Sequence, residues 1–367
     1  MKLICDGLDL SDAVMKVIKA ISQKSTNPVL EGIKMVAEDD CLTLTATDLE
    51  LAIERTIKAE VFLEGEVVVP GKFFAEYIKK LTNEQIEIST SDKNMIAIKY
   101  TDSTGNIQAQ SAEEFPVIKH LDNPEYFEIT SKDLKSLISK SVFCVSNEDS
   151  RPILKGVLFE ISNRKIKAVA LDGYRLAMVN KDLVSNSSDF NCIIPARSLN
   201  EISKLLEDTE ETIKVCVQKN YLMADVNNTK IITRLLEGDF INYKQIIPTD
   251  FTTEIVINKA QLEDGLDRAS LLSRIDRNNL VKFDITEKLM MLSSKSDIGD
   301  IKENITVSLN GKDLTIAFNV RYFNEALRVI NDEFIKLSFT TASAPCILKS
   351  NDTDEYVYLI LPVRVIN

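Results

Sequence analysis

One 15-residue pattern is written three times along this chain, and no other feature limits its possible folds as much. Val67–Leu81 reads VVVPGKFFAEYIKKL, Cys192–Leu206 reads CIIPARSLNEISKLL and Ile316–Ile330 reads IAFNVRYFNEALRVI, at offsets of 125 and 124 residues. Each copy is a short strand-forming run, a stop at Pro70, Pro195 or Asn319, and then an amphipathic helical pattern. Inside the helix a basic residue (Lys72, Arg197, Arg321), an acidic one (Glu76, Glu201, Glu325) and a second basic one (Lys79, Lys204, Arg328) follow at steps of four and three. Such steps stay on one helix face, so each copy is expected to carry a solvated basic–acidic–basic stripe. Phe74 and Leu81, Leu199 and Leu206, and Phe323 and Ile330 mark the opposite, buried face.

The repetition extends over the rest of the unit. A second amphipathic helix is expected over Leu8–Ile21, Ser131–Val145 and Asn258–Leu272. Pro28 and Pro152, Gly32 and Gly156, and Asp48 and Asp172 are each 124 residues apart. Phe115 in EEFPVIKHL and Phe240 in EGDFINYKQIIP lie 125 apart, each leading into the next unit. Between the helices, runs such as Leu42-Leu44-Ala46 and Ile213-Val215-Val217 alternate with period two, the mark of half-buried antiparallel strands. The expected fold is α+β, with three copies of one domain at residues 1–121, 122–250 and 251–367, each of roughly eight strands and two helices. A length of 367 residues suits three such cores better than one.

Chemistry is scarce in this inventory. His120 is the single histidine and sits in a junction, which removes histidine triads and two-histidine metal motifs. No phosphate-binding G-x-x-x-x-G-K-[ST] loop occurs. The six cysteines are scattered without a C-x-x-C pair and read as reduced core or strand residues. Acidic pairs such as Asp39-Asp40 and Glu113-Glu114 read as solvated turns, and Asp297 with Asp300 is weak ground for a metal. No enzyme, metal or cofactor is expected. The short, early-charged Met1–Asp6 and the lack of any apolar run near 18 residues lead to the expectation of a cytoplasmic protein with no membrane span.

A net charge of −12 argues against nucleic acid until it is counted by element. The six expected helices, with Lys24 and Arg274 just beyond two of them, hold 16 basic and nine acidic side chains, a net +7, which leaves −19 for the remainder. The helices are basic and everything else is strongly acidic.

Two stretches suit a partner. In ALDGYRLA (Ala170–Ala177) an Asp172-Gly173 turn joins two strands and can turn Tyr174 and Arg175 outward; an ordinary hairpin is the plainer alternative. In YLILPVRVIN (Tyr358–Asn367) both strand faces are apolar, so one is expected either to line a groove or to be covered from both sides.

The repeats, TDLE (Thr47–Glu50), VVVPGKFF, the EEFP junction, DGYRLA and the terminal LPVRV together resemble the bacterial sliding clamps, the β processivity subunits of replicative DNA polymerases. The resemblance runs through the whole chain in order. It implies three clamp-type domains per chain with helices lining a ring and sheets outside, a head-to-tail homodimer, sequence-independent contact with duplex DNA, and partners comprising the replicative polymerase, the clamp-loader ATPase, and repair and replication proteins that dock by short peptides. By that pattern the peptide pocket uses Leu154, Leu171, Gly173, Tyr174, Arg175, Leu176, Ile241, Gln245, Ile246, Leu359, Ile360, Leu361, Pro362, Val363 and Arg364, with Leu154, Leu176, Ile246 and Leu361 as walls and Arg175 at the rim. Leu171, Tyr174, Gln245 and Val363 stand where the family often has threonine, histidine, arginine and methionine. The DNA-facing residues are Lys24, Lys72, Lys79, Lys80, Pro152, Ile153, Arg197, Lys204, Arg321 and Arg328, and Leu271 and Leu272 lie at the dimer contact. Helix packing agrees with two chains per ring. With helices about 9 Å apart and about 10 Å thick, six in a circle leave roughly 7 Å and twelve roughly 24 Å, whereas a duplex with grooves about 8.5 and 7.5 Å deep needs more than about 16 Å. The competing classes are an enzyme built from duplicated domains and a repeat scaffold that binds only protein.

Overall fold

In the computed structural model the described residues are 1–22, 25–81, 85–91, 95–118, 125–185, 188–275, 279–351 and 353–364. The same order of elements is traversed three times, except that the described residues of the central pass hold one short strand fewer. The first pass is β1 (Lys2–Asp6), α1 (Gly7–Val17), β2 (Gly32–Glu38), β3 (Cys41–Thr47), β4 (Leu51–Lys58), β5 (Glu60–Leu63), β6 (Gly65–Pro70), α2 (Gly71–Ile78), β7 (Gln85–Ser91), β8 (Met95–Tyr100) and β9 (Ser103–Gln108). The second is β10 (Glu125–Thr130), α3 (Ser131–Ser139), β11 (Gly156–Ser162), β12 (Lys165–Leu171), β13 (Arg175–Asp182), β14 (Phe190–Pro195), α4 (Ala196–Leu205), β15 (Thr212–Gln218), β16 (Tyr221–Val226) and β17 (Thr229–Arg234). The third is β18 (Thr253–Asn258), α5 (Lys259–Ile275), β19 (Leu280–Ile285), β20 (Leu289–Ser296), β21 (Gly299–Thr306), β22 (Ser308–Gly311), β23 (Leu314–Asn319), α6 (Val320–Leu327), β24 (Phe334–Phe339), β25 (Cys346–Ser350) and β26 (Tyr356–Ile360).

Local chemistry starts and stops the helices. The Asp6 carboxylate accepts the N–H groups of Leu8 and Asp9 at 2.8 and 3.1 Å, and Thr130 Oγ1 accepts that of Asp133 at 3.2 Å. Asn319, aligned with two prolines, adds a cap by accepting the Arg321 N–H at 3.0 Å. The early helices of the first two passes are shorter than the spacing predicts. α1 tightens into a 3₁₀ turn at Ile18–Ala20, and α3 stops at Ser139 because Ser141 Oγ donates to the carbonyls of Leu137 and Ile138. α5 instead runs past Leu272 to Ile275.

Two compact units result, and they follow sheets rather than repeats. Met1–Glu128, Lys204–Glu207 and Glu211–Leu235 form the first; Ile129–Ser203, Asp208–Glu210 and Leu236–Asn367 form the second. In the first, β17 pairs with β4, Ile231 opposite Ile53, so the last hairpin of the central repeat extends the sheet of the first repeat. In the second, β13 pairs with β26, Leu176 opposite Leu359, inside a nine-stranded sheet ordered β14-β11-β12-β13-β26-β25-β24-β18-β22. A four-stranded sheet, β21-β20-β19-β23, completes that unit.

Each unit buries its helices' apolar stripes. Leu10, Ala13, Val14 and Val17 of α1 and Phe74 and Ile78 of α2 are inside the first unit; Leu262, Leu266 and Ala269 of α5 and Phe323 and Leu327 of α6 are inside the second. Phe323 meets Phe283 and Phe318 with ring centroids 5.1 Å apart in both pairs. Each buried leucine, isoleucine, valine or phenylalanine among these contributes about 1.5–3 kcal/mol. The aligned junction phenylalanines both serve as plugs, Phe115 beside Val29, Leu30 and Val68, and Phe240 against the Leu154–Leu359 cluster. The repeated Gly32 and Gly156 are explained by crowding: a Cβ would lie 2.3 Å from Val68 Cγ1 at Gly32 and 2.7 Å from Leu236 Cδ1 at Gly156. All six cysteines are free, five of them buried, and every one except Cys144 lies on a strand. Among the described residues no helix is long and apolar enough to cross a membrane.

Candidate functional site

DGYRLA folds as the expected turn between β12 and β13. Asp172 Oδ1 accepts the N–H groups of Tyr174 and Arg175 at 2.9 and 3.1 Å, and Gly173 takes φ +94°. The same device stands 124 residues earlier, where Asp48 Oδ1 accepts the N–H groups of Glu50 and Leu51 and Leu49 takes φ +77°. Glycine releases that strain only in the second copy. Tyr174 projects from the turn, 57% exposed, and its carbonyl accepts the Leu361 N–H at 2.9 Å.

Arg175 departs from the expected rim position. It is 6% exposed, because three acceptors and two rings satisfy its guanidinium inside the protein. Nε donates to Asp172 Oδ2 at 2.9 Å, Nη2 to the Phe143 carbonyl at 2.8 Å and Nη1 to Glu325 Oε2. Its Cζ lies 4.7 Å from the Tyr322 ring centroid and 5.5 Å from that of Phe143. The buried charge is paired, and each of its three nitrogens donates a hydrogen bond, as burial demands.

The expected walls are also deeper than expected. Leu154, Leu171, Leu176 and Leu359 belong with Leu158, Val169, Tyr243 and Val357 to one buried cluster, against which Ile153, Ile241 and Leu361 are half-buried. Leu154 and Leu176 are therefore core rather than wall. β26 is buried on both faces and lies between β13 and β25, so its apolar character comes from cover on both sides. Tyr358, on the face away from that cluster, donates its hydroxyl to the Tyr322 carbonyl at 3.0 Å. Ile360 is buried too, and chain exposure begins after it: Leu361 and Pro362 are half-buried, Val363 and Arg364 exposed. Exposed apolar area comes from Tyr174, Ile246 and Val363, and Gln245 is exposed beside Ile246. The 3₁₀ turn Tyr243–Gln245 is held by buried Tyr243, whose hydroxyl donates to Glu160 Oε2 at 2.5 Å. Phe143 and Tyr322 were not singled out in the sequence; Asp172 was marked for its turn and Glu325 for its helix stripe, neither as a partner of Arg175.

The basic stripes are exposed as expected. Lys72, Lys79 and Lys80 on and after α2, Arg197 and Lys204 on α4, and Arg321 and Arg328 on and after α6 all face solvent. Lys72, Lys79, Lys80 and Arg328 make no ion pair among the described residues. Of the acidic members of the stripes Glu76 is exposed, whereas Glu201 and Glu325 are half-buried rather than solvated. One Glu325 oxygen accepts from Arg175 and the other from Arg321 Nε at 2.7 Å. Burial pushes its carboxyl pKa up, but the bonds from Arg321 and Arg175 prevail and hold it below the ordinary value. Pro152 is exposed and Ile153 half-buried, while Lys24, like His120, lies outside the described residues.

The two leucines at the end of α5 part company. Leu271 is 58% exposed and Leu272 8%, so only the first presents a surface. α5 packs on β20 and β21, and β21 is an edge of its sheet with mostly exposed residues. In the first unit β9 is likewise an exposed edge, beside Tyr77, on which the exposed ring of Phe73 stacks at 6.2 Å. Among the described residues no group of three or more His, Cys, Asp or Glu side chains could hold a metal ion.

Sequence profiles of the DNA polymerase III beta subunit match the chain from end to end: its N-terminal domain over residues 1–119, its central domain over 128–242 and its C-terminal domain over 244–364. The beta sliding clamp of Bacillus subtilis is 33% identical, with 99% of this chain and 100% of that one covered, and that of a Staphylococcus epidermidis strain is 34% identical over 95% of each. The crystal structure of the DNA polymerase sliding clamp from Bacillus subtilis superposes with a TM-score of 0.97 at 32% identity, and that of the beta subunit from Thermotoga maritima with 0.92 at 29%, both over the full length of each chain. With its three-fold repeat, its paired sheets and this agreement over its whole length, the chain belongs to the DNA polymerase III beta-subunit family of sliding clamps.

Proposed function

We propose that two copies of this chain close head to tail into a ring around duplex DNA and hold the replicative polymerase and other DNA enzymes to it. The chain acts in the cytoplasm as a processivity factor and performs no reaction of its own. Its domains are residues 1–121, 122–250 and 251–367, a division supported by the three matching profiles. The observation that carries the reading is a basic pair seven residues apart and exposed in all three repeats: Lys72 and Lys79, Arg197 and Lys204, Arg321 and Arg328. Seven residues are two helical turns, so each pair stands on one face and can bridge phosphates without reading bases. With Lys80, Pro152, Ile153 and Lys24 these form the DNA-facing set. The acidic remainder of the chain limits adhesion of DNA elsewhere.

Closure uses Leu271 beside the β21 edge of one copy and the β9 edge beside Phe73 of the other, since two unpaired edges can satisfy each other. Peptides from the polymerase, the clamp-loader ATPase and repair proteins dock at Tyr174, Ile246, Leu361 and Val363, with the buried leucines as the floor beneath. Burying two leucine-sized side chains contributes about 3–6 kcal/mol, which ordering costs reduce, so partners can exchange. Loading the ring on a nicked circle and raising the salt tests the reading. Protein should stay on the circle at a salt concentration that strips it from linear DNA, and cutting the circle should release it. Equal loss from both substrates refutes encirclement and favours a scaffold that binds only protein.

A further inference from the structure

We infer that Glu325 couples DNA contact along α6 to peptide docking at the turn beside it, through a single carboxylate shared by Arg321 and Arg175. The inference rests on the docking and DNA-facing roles proposed above.

α6 spends its residues in two directions. Arg321 and Arg328 are exposed, whereas Tyr322 and Glu325, three apart, reach the DGYRLA turn. Glu325 Oε1 accepts from Arg321 Nε at 2.7 Å and Oε2 accepts from Arg175 Nη1. Arg175 then holds Asp172, and Asp172 holds the N–H groups of Tyr174 and Arg175. Tyr322 supports the same turn directly, its ring stacked on Tyr174 at 6.2 Å with an interplanar angle of 21°. The docking turn is thus built on the helix that also carries the phosphate-seeking pair, with Glu325 between the two.

The four charges are balanced, two guanidiniums against two carboxylates, but their exposures are not. The Arg175, Asp172 and Glu325 side chains are 6%, 14% and 20% exposed, and Arg321 is 66% exposed. A phosphate can therefore take Arg321 without uncovering Arg175. While both cations share Glu325, each weakens the other's hold; once Arg321 turns to DNA, the whole carboxylate charge falls on Arg175 in a partly desolvated site, where Coulomb attraction is stronger. The turn is then held more firmly, and a peptide meets it already formed. Linkage makes the effect reciprocal: a docked peptide favours the Arg321–phosphate contact by the same factor. Glu325 is a positioning residue, since it touches neither DNA nor peptide.

The test measures the dissociation constant of a fluorescent octapeptide with two C-terminal leucines on free rings and on rings loaded on closed circular duplex. Couplings between sites start at about fivefold, and loaded wild-type rings should bind the peptide tighter by about that factor. Glu325→Gln should weaken binding to free rings and abolish the DNA dependence. Arg321→Ala leaves Arg175 its carboxylate, so free rings should bind as tightly as loaded wild type, again without DNA dependence; being a surface change, it also guards against misfolding of the Glu325 variant. Equal wild-type affinity with and without DNA, or DNA dependence retained in both variants, overturns the coupling while leaving docking intact. Wild-type binding that Tyr174→Ala does not alter removes the docking site itself and the coupling with it.

Discussion

Replacing Arg175 by methionine separates a rim residue from a buried hub. On the surface such a change stays within about 0.5 kcal/mol. Here it leaves the Asp172 and Glu325 carboxylates, 14% and 20% exposed, without the cation between them, and Glu325 retains only the solvent-facing Arg321. Removing one member of a buried, hydrogen-bonded ion group costs about 3–5 kcal/mol, because the partners' desolvation is no longer compensated. Stacking against Tyr322 and Phe143 adds about 0.5–1 kcal/mol for each ring. The loss should appear first in the turn, since Asp172 no longer has a fixed partner. Hydrogen exchange at the amides of Tyr174 and Arg175 measures it locally, and denaturant unfolding of the second unit measures it globally. A triple variant, Arg175→Met with Asp172→Asn and Glu325→Gln, should recover part of the loss by removing the uncompensated charge. Unchanged exchange at both amides together with a stability loss under about 0.5 kcal/mol would refute the hub.

Other expectations follow from burial and backbone geometry. Leu271→Asp should shift the assembly from dimer to monomer with little change in melting temperature, whereas Leu272→Ala should cost about 2–5 kcal/mol of stability as a core truncation; sedimentation and thermal unfolding distinguish the two, and a dimer indifferent to Leu271→Asp moves the interface elsewhere. Gly156→Ala should cost about 1–3 kcal/mol through overpacking against Leu236 and Ile193. Gly173→Ala meets nothing within 4 Å and should cost only the strain of a positive φ, about 1 kcal/mol; the reverse order in urea unfolding contradicts the packing argument. Because Glu325 has a folded pKa below its ordinary 4.5, its stabilising contribution is complete above pH 4.5 and is lost as pH falls through the depressed value. The melting-temperature advantage of wild type over Glu325→Gln should therefore shrink below pH 4.5, and a constant advantage at lower pH would refute the assignment.

What the sequence determined by itself is what repeats or alternates along the chain. Offsets of 124 and 125 residues, period-two runs and helical steps of three and four are local regularities, and they yielded the α+β class, the three-fold duplication, the exposed Lys72–Lys79, Arg197–Lys204 and Arg321–Arg328 pairs and the Asp172 turn. That DGYRLA and LPVRV, 184 residues apart, share one docking region was an expectation carried by the family resemblance. Which of those side chains reach the surface was decided elsewhere. Arg175 looks outward beside an exposed tyrosine until Glu325, 150 residues further on, meets it. Leu271 and Leu272 are equivalent letters until α5 lies down on β20 and β21 and turns one of them under. The terminal strand, apolar on both faces, leaves groove and double cover equally open until β13 and β25 pair along its two edges and side chains cover its two faces. Burial is the sum of contacts from segments far apart in sequence, so hydrophobic period and residue type bound it on one element but cannot assign it; tertiary packing alone separated the exposed Tyr174, Ile246 and Val363 from the leucines buried beneath.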